Sequence, residues 1–315
     1  MRISANTLIF VVGPTAIGKT RLSIALARKL RGEIVSCDSM QLYKGAGILS
    51  QAPTAAERKK VRHHLVGVLD PRTDCTVALY RTKAMRAIRS ILKKGKTPIT
   101  VGGSGLYVKA LIDGLFPAPP ADDVFRGRME RLAARRGSAA LHERLVKIDP
   151  VSAARIHPND MRRIIRALEL YHITGKTMTE HAALTQGLKD VYKICLVGLT
   201  RPRDQIYTAI DARVERMFAS GAVAEARRLS RRKISKAAAA LLGFKEIGGY
   251  LRGEYSLEEA KELLRMNTRR FAKRQLAWFR ADKRIRWFSV SRSRDSELVK
   301  KITRYVQMYT KGKNI

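Results

Sequence analysis

Apolar residues along this chain change their spacing repeatedly, and each change marks an element. Leu8–Val12 is a continuous apolar run ending at GPTAIGKT (13–20), and RLSIALARKL (21–30) then shows helical spacing. Similar runs recur in EIVSC (33–37), HHLVGVLDP (63–71), TPITVGG (97–103) and YKICLVGLT (192–200). Unbroken apolar runs of this length suit strands buried on both faces. Helical patterns separate them at 54–62 and at 76–94, where Ala78, Leu79, Met85, Ile88 and Leu92 are apolar. The alternation predicts an α/β fold, a P-loop NTPase-like parallel sheet with helices on both faces.

PAPPADD (117–123) interrupts that alternation. Residues 123–148 and 159–174 are amphipathic and are joined by IDPVSAARIHPND (148–160). The strand pattern resumes only at 192. The expected organisation is a discontinuous core, residues 1–121 and 187–315, with an inserted all-helical domain at 122–186. The last third is helical, most clearly at 203–219, 221–232 and 256–281. The basic tail, 292–315, is expected to fray.

Composition narrows the classes. With 315 residues and 45% hydrophobic content, the chain can build a substantial core. No apolar run reaches 18 residues, so no membrane span is expected. The apolar start is the first strand and lacks a cleavage site of small residues, which argues against a signal peptide. Cys37, Cys75 and Cys195 are odd in number and far apart, which suits a reducing cytoplasm. The six histidines show no metal spacing.

Charge changes the picture more. The net charge is +36, with 63 basic against 27 acidic residues. Residues 1–121 carry +14, residues 122–200 carry +5 and residues 201–315 carry +17. Such an excess points to a polyanionic partner.

GPTAIGKT carries the most specific chemistry. The spacing G-x4-G-K-T after a strand and before a helix is a P-loop. Gly13, Pro14, Thr15, Ala16, Ile17 and Gly18 would turn their backbone amides toward an anion at a helix N-terminus. Lys19 adds a charge, and the Thr20 hydroxyl is the candidate ligand for Mg²⁺. These groups recognise adjacent phosphates and nothing else, so ATP, GTP or any diphosphate would fit. TPITVGG ends in glycines and Ser104, without the acid that a hydrolase or kinase would place there. Asp38, after the second strand, could replace it, cap the next helix, or act as a base.

Five segments in order carry a resemblance: GPTAIGKT, CDSMQLYKG, VGGSGLYVKAL, IHPNDMRRIIRALELYHITGK and NTRRFAKRQLAWFR. Together they resemble the tRNA dimethylallyltransferase family over residues 6 to about 288. The resemblance implies that the P-loop binds dimethylallyl diphosphate. It implies prenyl transfer to N6 of the adenosine 3′ of the anticodon, in tRNAs reading codons that begin with U. It assigns the base role to Asp38 and gives Ser104, Lys19 and Arg213 to the leaving diphosphate. From its residue type alone Arg213 reads as a solvent-facing helix charge. The resemblance also implies a strip for the flipped base at Asp38, Ser39, Met40 and Gln41. It implies anticodon stem–loop contacts at Arg126, Arg162, Arg163, Ile164, Ile165 and Arg166. Arg270, Lys273 and Arg274 join them, on a helix whose charges are interleaved with aromatics. A cytoplasmic monomer is expected.

Four positions depart from the family pattern. Ile17 stands where Ser is usual, Ser104 replaces Thr, Ala52 replaces a Lys, and Glu246 occupies a position where an amide is frequent. Two other enzymes share the P-loop and Asp38: a prenyltransferase acting on free adenine nucleotides, and a P-loop small-molecule kinase. A non-catalytic RNA-binding role would leave both features unexplained.

Overall fold

A computed structural model describes residues 6–116, 118–290 and 295–311. They form two compact units, one from Met1–Ile112 with Leu188–Ile315, the other from Asp113–Gly187.

The first unit is built on β1 (Thr7–Val12), β2 (Gly32–Ser36), β3 (His63–His64), β4 (Thr97–Gly102), β5 (Lys193–Thr200) and β6 (Arg286–Ser289). All pairings are parallel, in the order β3-β2-β4-β1-β5-β6. β1 lies between β4 and β5, and Leu8–Val12 are at most 1% exposed. That central position explains its continuous apolar run. Helices α1 (Lys19–Leu30), α2 (Ala55–Lys60), α3 (Val77–Lys93) and α4 (Gly105–Ile112) complete the N-terminal part.

The second unit holds α5 (Asp123–Ile148), α6 (Pro150–Arg155), α7 (Met161–Thr174) and α8 (Met178–Ala183). Its core packs Phe125, Leu141, Leu145, Ile156, Ile164, Ile165 and Leu168. The helix predicted at 123–148 is broken at Gly137, whose φ of 78° and ψ of 162° are not helical. The first unit resumes after β5 with α9 (Arg203–Ala219), α10 (Ala222–Ser230), α11 (Lys236–Ala239), α12 (Phe244–Leu251), α13 (Leu257–Arg280) and α14 (Asp295–Thr310).

Three local expectations differ from the structure. HHLVGVLDP supplies only the two-residue β3, because Leu65 (φ 63°) and Gly67 (φ 60°) turn the backbone out of the extended region. β6 is not visible in the pattern, because a four-residue edge strand with exposed ends has no apolar run to show. Much of the tail expected to fray is α14, which buries Leu298, Val299, Ile302 and Val306; residues 292–294 and 312–315 lie outside the described residues.

Candidate active site

The P-loop, Asp38 and Ser104 all follow the C-terminal ends of parallel strands, where ligands of open α/β sheets bind. Gly18, the residue before α1, has φ of 92°, a left-handed conformation that glycine takes at little cost. It turns the chain into α1 so that the loop lies at a helix N-terminus. Ile17 is 1% exposed and packs into the core. The departure from Ser therefore exchanges a hydroxyl for an anchor beneath the loop. Lys19 folds back over the loop, donating from Nζ to the carbonyls of Gly13 (2.9 Å) and Pro14 (2.7 Å).

Arg213, on α9, is not a solvent-facing charge. Its Nη1 donates to Thr15 Oγ1 at 2.7 Å. Burial lowers the Lys19 ammonium to about 8; Asp38 opposes the shift and Arg213 adds to it. Burial likewise lowers Arg213 to about 10, with Asp38 opposing and Arg216 adding. Lys19, Arg213 and Asp38 thus feel one another's charge. The arrangement is two partly desolvated cations at an anion loop, facing one carboxylate.

Asp38 begins a tight turn, and its Oδ1 accepts from Met40 N–H at 2.9 Å. No helix starts here, since α2 begins only at Ala55, so Asp38 holds a turn and not a helix cap, and this bond occupies one carboxylate oxygen. Ser104 Oγ accepts from Ser39 N–H at 3.0 Å. This ties the VGGSG turn to the DSMQ strip. Gln41 is held from both ends: Ser36 Oγ donates to its Oε1 at 2.8 Å, and its Nε2 donates to Gln51 O at 3.2 Å. Beneath lie Tyr80 and Tyr107, stacked at 4.0 Å, with Tyr80 O–H donating to Ser36 O at 3.1 Å.

A cleft of about 640 Å³ opens beside Gln41. Ala52 lines it, and so do Lys44, Arg58 and Arg216, so the cation missing at Ala52 leaves three others on the same cleft. Glu246 is 7% exposed and accepts from Gly243 N–H at 3.0 Å and Asn267 Nδ2 at 2.6 Å. That departure is accommodated inside the core, where a carboxylate caps the start of α12.

On α13, Arg270, Lys273 and Arg274 are exposed. Arg269 and Arg265 are engaged instead: Arg269 by Asp211 at 2.7 Å, Arg265 by Glu215 and Glu262. Gln275 is a residue that sequence reasoning missed. It is 5% exposed, its Oε1 accepts from Thr15 N–H at 2.8 Å, and its Nε2 donates to Gly103 O at 3.0 Å. Its signal was present: Gln275 is a polar residue at helical spacing from Leu264, Ala272 and Phe279 on the buried stripe of α13.

In the second unit, Arg162 and Arg163 are exposed, whereas Ile164 and Ile165 are 0% and 5% exposed. The two isoleucines belong to the unit's core, which corrects their expected place among the surface contacts. Arg126 and Arg166 share a partner. The fully buried Glu169 accepts from Arg126 Nε (2.8 Å) and Nη2 (2.9 Å), from Arg166 Nη1, and from Asp122 N–H at 2.8 Å. Both arginine side chains keep part of their surface in solvent, at 38% and 29% exposure. Glu169→Gln should destabilise this unit by about 2–3 kcal/mol. Breaking a buried pair costs roughly 3–5 kcal/mol, and the partial exposure of the arginines reduces that. Amide hydrogen exchange in α7 is expected to accelerate while β1 stays protected; unchanged protection would contradict the assignment.

A family model described as IPP transferase matches residues 41–282, and one described as isopentenyl transferase matches residues 6–70. The tRNA dimethylallyltransferase of Carboxydothermus hydrogenoformans is 45% identical over 95% of this chain and 96% of its own. That of Geobacter sulfurreducens is 44% identical over 93% and 95%. Among solved structures, the full-length tRNA isopentenylpyrophosphate transferase of Bacillus halodurans aligns with a TM-score of 0.73 at 38% identity, covering 98% of both chains. A eukaryotic dimethylallyltransferase acting on tRNA aligns with a TM-score of 0.78 at 28% identity, covering 98% of this chain and 81% of its own. Likeness of this extent, across sheet, insertion and motifs alike, means that the chain belongs to the tRNA dimethylallyltransferase family of prenyl-transferring enzymes.

Proposed function

We propose that this enzyme transfers a dimethylallyl group from dimethylallyl diphosphate to N6 of the adenosine 3′-adjacent to the anticodon, in tRNAs that read codons beginning with U. The products are N6-isopentenyladenosine and diphosphate. One observation carries this reading beyond family membership. The phosphate loop is flanked by two desolvated cations and faces a carboxylate, while β4 ends at Gly102 and is followed by Gly103 and Ser104, without an acid.

The adenosine leaves its stack and enters at the strip from Asp38 to Gln41. Extrusion costs a few kcal/mol, least in a single-stranded loop. The N6 lone pair is delocalised into the purine ring, so the amine attacks weakly until its proton is taken. As N6 bonds to the donor's C1, the proton passes to Asp38, and the C1–O bond to diphosphate breaks. Charge growing on the leaving oxygens falls to the loop amides, Lys19, Arg213 and the Ser104 hydroxyl. Gln41, fixed by Ser36 and Gln51, can present its amide edge to the base.

No cluster of three or more His, Cys, Asp or Glu side chains among the described residues could cage a metal. The donors present, one threonine hydroxyl and one nearby carboxylate, fit Mg²⁺ of the kind that takes most ligands from substrate phosphates and water. Thr20 would hold it, and when bound it would neutralise diphosphate charge. No helix among the described residues is long and apolar enough to cross a membrane. We place the enzyme in the cytoplasm with its tRNA, as a monomer. Arg126, Arg162, Arg163 and Arg166 of the insertion, with Arg270, Lys273 and Arg274 of α13, would take the phosphates of the anticodon stem–loop.

Mass spectrometry of tRNA nucleosides tests the function. Unmodified tRNA incubated with the protein and dimethylallyl diphosphate should yield N6-isopentenyladenosine, whereas AMP should not be prenylated and ATP should not be consumed. ATP turnover without prenylation would overturn the reading in favour of a kinase. Prenylated AMP would favour the free-nucleotide enzyme.

The lowered Lys19 ammonium gives a pH test. A protonated Lys19 is needed to hold diphosphate, and in the free enzyme it loses its proton near pH 8. Then kcat/KM for dimethylallyl diphosphate should fall above that pH, by about tenfold per unit. A flat profile to pH 9.5 would remove Lys19 from the cradle.

A further inference from the structure

Gln275 is an amide buried on the face of α13 that also buries Ala260, Leu264, Thr268, Ala272 and Phe279. A buried polar group left unmatched is costly, so its two partners matter. They come from two different loops, 260 and 172 residues away in sequence. Thr15, whose N–H it accepts, is the same residue whose hydroxyl Arg213 contacts. Gly103, whose carbonyl takes its N–H, directly precedes Ser104. Space at Gly103 is matched to it: a Cβ there would come within 2.2 Å of Gln275 Nε2. Two residues on, a Cβ at Gly105 would come within 2.2 Å of Trp278 Cδ1, so α13 grips this turn twice.

We propose that Gln275 is a positioning residue that locks the diphosphate loop to the Gly102–Ser104 turn, so that the leaving-group cradle and the Ser104 hydroxyl keep one fixed spacing. The role rests on the transfer reaction proposed above. Gln275 has no place in the bond-making step. Its amide satisfies one donor and one acceptor with a single planar group, a pairing that an apolar side chain cannot reproduce. Losing it frees each loop to move independently, and a misplacement of about 1 Å can cost roughly 10²-fold in rate.

Two variants test this, each first checked by thermal unfolding. Gln275→Leu should lower kcat/KM for dimethylallyl diphosphate about 10–100-fold, with KM for tRNA changed less than about twofold. Gln275→Glu is nearly isosteric and carries the decisive measurement. Its carboxylic acid form accepts from Thr15 N–H and donates to Gly103 O, as the amide does; its carboxylate has no donor for that carbonyl. Below pH 8, where Lys19 stays protonated, its kcat/KM should therefore recover toward wild type as pH is lowered, a trend absent from the wild-type profile in that range. Binding of inorganic pyrophosphate, measured by calorimetry, should follow the same pH trend. Wild-type kinetics in a folded Gln275→Leu, or a Gln275→Glu profile parallel to wild type, would overturn the proposal. If wild-type protein fails to prenylate tRNA, the transfer reading falls, and pyrophosphate affinity then decides this inference alone.

Discussion

Asp38→Asn should reduce kcat for prenyl transfer by about 10²–10⁴-fold, with the Kd for tRNA within about twofold of wild type. The substitution suits the question because Asn keeps an oxygen to accept from Met40 N–H, so the turn that Asp38 begins survives. What disappears is a group able to take the N6 proton. A second readout follows from charge. Asp38 opposes the burial that depresses Lys19, so removing its charge should move the alkaline limb of kcat/KM to still lower pH. Single-turnover rates, with tRNA binding followed separately, divide the outcomes. Near-normal turnover with a large rise in KM for tRNA would make Asp38 a binding residue and leave the base unidentified.

Arg213→Ala should lower kcat/KM for dimethylallyl diphosphate by about 10²–10³-fold, the usual cost of losing one preorganised donor at a developing anion. Its bond to Thr15 Oγ1 fixes the guanidinium against the loop, so the donor needs no reorganisation when diphosphate departs. Here the Lys19 limb should move the other way. Arg213 depresses the Lys19 ammonium, and without it Lys19 keeps its proton to higher pH. Opposite displacements in Asp38→Asn and Arg213→Ala would show that the three charges form one field. Equal displacements, or none, would show that they act separately. Arg213→Lys should recover only part of the loss, because an ammonium cannot reproduce the planar donor set.

The candidate site was unevenly legible. The P-loop could be read directly, because its glycines and Lys-Thr encode a backbone shape that needs no distant partner. Asp38 and Ser104 followed as residues at the ends of buried strands. Arg213 was readable only through family resemblance, since a helix charge looks the same whether it faces water or a loop 198 residues away. Ile164 and Ile165, beside Arg163, lie in the core because a motif marks a segment, whereas helical period decides which of its side chains turn inward. Glu246, at a position where an amide is frequent, is a buried helix cap, because Asn267 and Gly243 supply its donors.

By itself, then, the chain's pattern determined the parallel sheet, the phosphate loop and the helical insertion. Apolar period and turn residues act within a few positions of one another, so a linear reading captures them. Which of the 63 basic side chains stay available for RNA was decided only by tertiary structure. A guanidinium is engaged or free according to acids brought beside it from elsewhere in the chain. Asp211 engages Arg269, whereas Arg270, one position beyond it, stays exposed.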